Sequence, residues 1–219
     1  MAAKRCIFTG PPGCGKGTQG SRMTDRFGLI AVSSGDMLRA EIKAASDVGM
    51  KAQQFVQAGT LVPDEIITGV MLAGIERLSK DRGFILDGFP RTLAQASALG
   101  KGLEDAGLSI DAVIDFQIDD RLVVERIVSR RVCGNCGATY NVMFFPPKAE
   151  GVCDKCGGEV AQRIDDTEAV VQTRLDTYRS LTAPLIEYYS SRGLLRTVDA
   201  SQSADAVEAQ VTEIIDSLG

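Results

Sequence analysis

Between Gly10 and Thr18 the chain reads Gly-Pro-Pro-Gly-Cys-Gly-Lys-Gly-Thr, and this stretch constrains the fold more than any other. Before it, residues 4–9 (Lys-Arg-Cys-Ile-Phe-Thr) form a short β-prone run. After it, Lys16 to Phe27 has helical spacing, with Gly28 placed to close the helix. Strand, glycine loop and helix in that order open a βαβ unit. The glycines let successive backbone N–H groups turn inward as an anion nest, and the helix adds the positive end of its dipole. Lys16 is in register to reach the β- and γ-phosphates of a nucleoside triphosphate. The loop departs by one place from G-x-x-x-x-G-K-[ST]: Gly17 follows the lysine and the hydroxyl comes at Thr18.

The remaining pattern extends that unit. Residues 29–32 are again short and apolar, and Ser34 is expected to cap a helix beginning Gly-Asp-Met-Leu-Arg. Helical segments are expected near 49–58 and 63–80, divided by Gly59 and restarted by Pro63. Phe84-Ile85-Leu86-Asp87 reads as a buried strand, 92–106 as a helix ending at Gly107, 112–116 as a strand and 119–131 as a helix. Helix returns at about 166–191, with Pro184 expected to kink it, followed by a strand at 194–198 and a helix at 203–218. Alternating strands and helices give the expected class: α/β, a parallel sheet with helices on both faces. Residues 133–162, rich in Gly and Cys with a Pro146-Pro147 pair, break the pattern and read as an insertion.

Composition narrows the chemistry. There is no histidine, which excludes Ser-His-Asp and Cys-His hydrolases and His-ligated catalytic zinc. Net charge is −5, which argues against nucleic acid as the main partner, yet 16 of the 24 cations are Arg, the better residue for gripping phosphates in fixed geometry. No run of apolar residues is long enough to span a membrane, and Cys6-Ile7-Phe8 is too short for a signal-peptide core, so a cytosolic location is expected.

Cys133-Gly-Asn-Cys136, sixteen residues, then Cys153-Asp-Lys-Cys156 is a pair of C-x₂-C knuckles. Four thiolates so spaced suit a closed tetrahedral Zn²⁺ site, with iron as the rival that accepts the same ligands. The flanks hold Lys148 and Lys155 against Glu150, Asp154 and Glu159, which is no basic patch for nucleic acid. A metal here stiffens what would otherwise be a structureless loop of roughly 30 residues.

Gly-Lys-Gly-Thr is where the chain begins to resemble the nucleoside monophosphate kinases, and specifically the adenylate kinase family. Ser34-Gly-Asp-Met-Leu-Arg39 and Asp87-Gly88-Phe89-Pro90-Arg91-Thr92 resemble its two monophosphate-binding segments, and Gln95 follows at the spacing of the adenine-reading glutamine. Arg126, Arg130, Arg163 with Asp165 and Asp166, and Arg174 match its later charged positions, so the resemblance runs from about residue 5 to 200. It implies transfer of the terminal phosphoryl group of MgATP to AMP, giving two ADP, in a core of residues 1–32, 63–128 and 167–219. A helical NMP-binding insert at 33–62 and a metal-bound lid at 129–166 would complete it.

The resemblance assigns Gly13, Cys14, Gly15, Lys16, Gly17, Thr18, Arg126, Arg130, Thr139, Tyr140 and Gln202 to ATP. It assigns Ser34, Arg39, Thr60, Leu61, Val62, Gly88, Phe89, Pro90, Arg91, Gln95, Arg163 and Arg174 to AMP. Lys16, Arg91, Arg126, Arg130, Arg163 and Arg174 would carry the chemistry, and Cys133, Cys136, Cys153 and Cys156 the metal. Arg126 and Arg130, four apart, are expected on one helix face. Thr60-Leu61-Val62 resembles a strand over the base, with the Val62 carbonyl facing the adenine amine. The Phe89–Pro90 bond is expected to be cis. Asp87 reads as a Walker B-like acid holding Mg²⁺ through water.

Asp165 and Asp166 either orient the arginines or cap the helix that follows. Cys14 is either a thiol activated by the helix N-terminus, whose alkylation would block ATP, or simply a small turn residue, and Cys6 is inert core. Two other readings stand beside the first: a kinase with another acceptor or a GTP donor, and a zinc-dependent nucleotide-binding regulator without turnover. A monomer is expected, with no nucleic-acid or membrane partner.

Overall fold

A computed structural model describes residues 3–78 and 81–218. Met1, Ala2 and Gly219, at the ends of the expected core, and Ser79 and Lys80, at the end of the helix expected to reach 80, lie outside the described residues. The main sheet has five parallel strands in the order β2-β3-β1-β4-β8: β1 Arg5–Thr9, β2 Ile30–Ser33, β3 Phe84–Asp87, β4 Ala112–Gln117 and β8 Leu195–Asp199. Side chains alternate across it. Ile7, Leu86 and Val113 point to one core, while Phe8, Ile85 and Ile114 point to the other. Both faces are covered, so these strands read as apolar runs rather than as alternating ones.

Helix α1 (Lys16–Phe27) ends at Gly28 in the left-handed conformation and packs with α9 (Ala204–Ser217) on the second face. On the first face lie α2 (Ser34–Lys43), α3 (Asp47–Ala58), α4 (Asp64–Glu76) and α5 (Leu93–Asp105). Helix α6 (Asp120–Val128) packs on α7 (Glu168–Thr177) through Val123, Ile127, Val171 and Leu175. A second, antiparallel sheet stands apart, in the order β6-β5-β7: β5 Arg130–Cys133, β6 Thr139–Asn141 and β7 Val160–Ala161.

Several expectations are corrected. Ser33, not Ser34, caps α2, accepting from the Asp36 N–H; Ser34 is the first helical residue. Helix α4 stops at Glu76. Helix α6 stops at Val128 rather than 131, so Arg130 opens a strand and Arg126 and Arg130 share no helix face. The cause is tertiary: Asn141 donates to the Arg126 carbonyl and to Ser129 Oγ, and β6 pairs with β5 where the helix would continue. Thr60–Val62 forms no strand and is the extended link between α3 and α4. Near Pro184 the break takes the form of a π-helical turn at Tyr178–Thr182 before α8 (Pro184–Ser190).

Candidate active site

Parallel strands bring their carboxyl ends to one edge, and the connections after the neighbours β1 and β4 leave in opposite directions, to β2 and to β8, so the crevice where open α/β sheets bind ligands lies beside β1. The glycine loop leaves that end of β1. Gly10, Gly13 and Gly15 have φ of +138°, +75° and +102°. A Cβ on Gly10 would lie 2.7 Å from the Phe116 carbonyl, and one on Gly13 2.6 Å from Ile127, so neither position admits a side chain. No side chain caps α1, whereas Ser, Thr or Asp caps α2, α3, α5, α6, α7 and α9. Its first N–H groups are left to a ligand. Lys16 Nζ donates to the carbonyls of Gly10 and Pro11, both at 2.8 Å, which holds the ammonium against the loop.

Asp87, at the end of β3, faces α1: its Oδ2 is 3.6 Å from where a Gly17 Cβ would be. Burial raises this carboxyl above its usual range, against the pull of Lys16 and Arg91. Cys14 is also pushed up rather than down, because desolvation outweighs the nearby Lys16. The thiol is buried. Cys6 is buried in β1 and pushed up to about 12, again by burial.

On the opposite side of the edge, the Phe89–Pro90 bond is cis, as expected. Ser34 Oγ and Arg91 Nε both donate to the Gly88 carbonyl at 2.7 Å, tying the start of α2 to the segment after β3. The π-helical turn contributes Thr182, whose hydroxyl donates to the Arg91 carbonyl at 3.0 Å. Gln95 is only 2% exposed, so it is not a solvated helix residue. Its Nε2 donates to Asp64 Oδ1 and its Oε1 accepts from the Arg91 N–H, both at 2.7 Å.

The arginines converge from separate segments, and carboxylates hold most of them. Arg130 makes a two-pronged pair with Asp166, at 2.8 and 2.5 Å. Arg174 pairs with Asp165 and lies 3.6 Å from Asp166. Thr167 caps α7, so the carboxylates orient arginines and do not cap. Asp36, which the sequence reading assigned no role, binds Arg39 at 2.5 Å and stands 3.8 Å from Arg163. Asp36, Arg39 and Arg163 line an open cleft of about 390 Å³ between α2 and the small sheet. Desolvation, with Arg39 and Arg130 nearby, lowers Arg163 to about 10. This crowding of positive charge favours an anion. Arg126 lies near Cys14 of the glycine loop and donates to the carbonyls of Ala200, Ser201 and Gln202, while Gln202 Nε2 donates to Asp199.

The carboxylates differ in what their loss costs. Asp166 is fully buried, so Asp166→Asn strands a mostly buried guanidinium and is expected to cost about 3–5 kcal/mol in urea unfolding. Asp36→Asn, at an exposed carboxylate, is expected to cost less than about 1 kcal/mol. Equal losses would contradict this account.

In the small sheet the four cysteine sulfurs lie within 4.8 Å of one another, with the Cys133–Cys156 and Cys136–Cys153 pairs at 3.5 Å. Tetrahedral zinc, with bonds of about 2.3 Å, requires sulfurs about 3.8 Å apart, so the donor set fits. Both knuckles close in the same way: Gly137 N–H donates to the Cys133 carbonyl and Gly157 N–H to the Cys153 carbonyl, each glycine in the left-handed region. The Tyr140 hydroxyl accepts from the Asp154 N–H and lies 3.3 Å from Cys153 Sγ. That contact is the main cause holding the Cys153 thiol down, to about 6. The Tyr140 ring is therefore buried against the cysteines, and Thr139 beside it is half-buried.

Comparison with known proteins agrees with this geometry. The sequence model of the family described as "Adenylate kinase" matches residues 8–194. The curated adenylate kinase of Carboxydothermus hydrogenoformans is 46% identical over 207 residues, 94% of this chain and 97% of its own length. That of Archaeoglobus fulgidus is 44% identical over 212 residues, covering 97% and 98%. That of Bacillus licheniformis is 46% identical over 209 residues, covering 95% and 96%.

Proposed function

The chain belongs to the adenylate kinase family, and on that premise we propose that it transfers the terminal phosphoryl group of MgATP to AMP, reversibly, giving two ADP. One observation carries the reading. An uncapped helix behind a glycine nest faces a ring of arginines drawn from α2, the segment after β3, β5 and α7, with Gln95 beyond them. Phosphoryl transfer spreads charge over three equatorial oxygens, so positioning and charge stabilisation are the protein's whole task, and a chain without histidine can perform it.

In this reading the loop from Gly13 to Thr18 and Lys16 hold the triphosphate. Arg126 and Arg130 meet its phosphates, and Thr139 and the main chain of Tyr140 meet it from the lid, with Gln202 at the base side. Ser34, Arg39 and Arg91 hold the acceptor's phosphate, Thr60–Val62, Gly88 and Phe89 wall its nucleoside, and Gln95 reads the base. Arg163 and Arg174 bridge to the transferring group, presented by Asp36, Asp165 and Asp166. Asp87 and Thr18 are the residues that would hold Mg²⁺ through its water shell. Bound with ATP, that ion neutralises charge between the phosphates.

Residues 1–32, 63–128 and 167–219 act as the core and 33–62 as the NMP-binding insert. Residues 129–166 act as a lid whose closure keeps water from the reaction, as is known for adenylate kinase lids. The four cysteines hold zinc, whose contribution is structural. The protein acts as a monomer on soluble nucleotides, with no nucleic-acid or membrane partner. We place it in the cytosol, where thiols stay reduced.

A coupled assay offering ATP or GTP as donor to AMP, GMP, CMP and UMP tests this. ATP with AMP is expected to exceed the other pairs in kcat/KM. A better alternative acceptor would replace AMP in the reading, and absence of any transfer would favour a nucleotide-binding regulator.

A further inference from the structure

The buried amide of Gln95 has two partners, each able to play only one part. Asp64, the first residue of α4, accepts from Nε2 at 2.7 Å, and a carboxylate has no proton to return. The Arg91 main-chain N–H donates to Oε1 at 2.7 Å and has no lone pair to offer. An amide can ordinarily be turned end for end at little cost; here the two partners fix which end is oxygen and which is nitrogen. Asp64 is itself held, because Thr92 Oγ1 donates to its other oxygen at 2.9 Å. Thr92 also accepts from the Gln95 N–H and so caps α5. The three residues make a closed ring across α4 and α5.

Each polar atom of the amide keeps one further site: a second N–H on Nε2 and a second lone pair on Oε1. A 6-aminopurine sets an amine donor beside a ring-nitrogen acceptor. A 6-oxopurine sets a carbonyl acceptor beside a ring N–H donor, the reverse polarity. For a base held in one orientation by its ribose and phosphate, only one polarity of the amide matches. We propose that Asp64 sets the selectivity for the acceptor base, holding Gln95 in the polarity that accepts a 6-aminopurine and rejects a 6-oxopurine. It is a positioning residue acting through Gln95, and the inference rests on Gln95 being the base-reading residue proposed above.

AMP and IMP differ only at the 6-position and its neighbouring ring nitrogen, so they make a clean test. Steady-state kinetics are run on the full-length protein with saturating MgATP. In Asp64→Asn the new side chain can turn either its carbonyl or its amine to Gln95, which leaves the Arg91 N–H as the one remaining constraint against an amide flip. The ratio of kcat/KM for AMP to that for IMP is expected to fall about tenfold or more, because a site built to hydrogen-bond one edge discriminates strongly only while its polar groups are fixed. The loss with AMP is expected in KM, with kcat within about twofold. Asp64→Ala, which removes the carboxylate without supplying an amide, is the second variant, and the Tm of each separates unfolding from selectivity. An unchanged ratio in both variants, or equal losses with AMP and IMP, overturns the proposal. A wild-type protein that phosphorylates neither nucleotide overturns the functional reading instead.

Discussion

Lys16→Met is expected to lower kcat on the order of 10³-fold while the protein stays folded, because charge placed on the transferring group is worth that much in phosphoryl transfer. Methionine matches the lysine stem in length and suits a helix start. What it removes in the protein alone is three hydrogen bonds, to the Gly10 and Pro11 carbonyls and to Cys14 Sγ, about 1 kcal/mol or less each. What it removes in the transition state is the positive charge closest to the nest. The check is kcat from the coupled assay beside a thermal melt. A Tm lowered by no more than about 10 °C, with kcat reduced at saturating nucleotide, is the expected pairing. A kcat within tenfold of wild type would show that the arginines carry the charge without Lys16.

Stripping the metal is expected to have the largest effect on stability. The small sheet has little core of its own: Tyr140 and Val160 are its buried apolar side chains besides Cys133 and Cys153, with Ala138 packed against them. So few apolar side chains cannot order a segment of this size, and in the proposed reading a structural metal supplies the difference. After chelation and refolding the first transition is expected to fall by roughly 10 °C or more, with kcat lost and residual ATP binding by the core. Metal analysis, calorimetry and a fluorescent ATP analogue read the three quantities. The same Tm with and without metal would refute the structural role.

Much of this was legible in the chain. Phe84–Asp87 emerged as a strand of the sheet, and Lys16–Phe27 as a helix ended by Gly28, because local pattern and tertiary burial agree there. The two cysteine knuckles were legible for another reason: residue type and spacing alone mark the pair, and the fold brings the four sulfurs together.

The misreadings fall where distant partners decide. Arg126-Ile-Val-Ser-Arg130-Arg131 continues a helical period with no Gly or Pro to stop it, and only pairing with Thr139–Asn141 turns it into a strand. Two adjacent serines compete to cap α2, and Ser34 is drawn off to the Gly88 carbonyl. Gln95 carries the spacing of a base-reading residue, but its amide is tied to Asp64, 31 positions earlier. Asp64 after Pro63 reads locally as a first-turn charge on a helix, and Asp36 as another, so neither sequence position announces its partner.

The pair between Arg130 and Asp166 has a consequence for how such proteins diversify. The chain leaves the core at β5 and returns just before α7, and this one two-pronged clasp joins the points of exit and return. What lies between is a cassette with its ends already tied together. Lengthening, shortening or exchanging it changes little in the closure entropy and disturbs no strand of the main sheet. An insertion so tied could be exchanged for another without rebuilding the body that carries it.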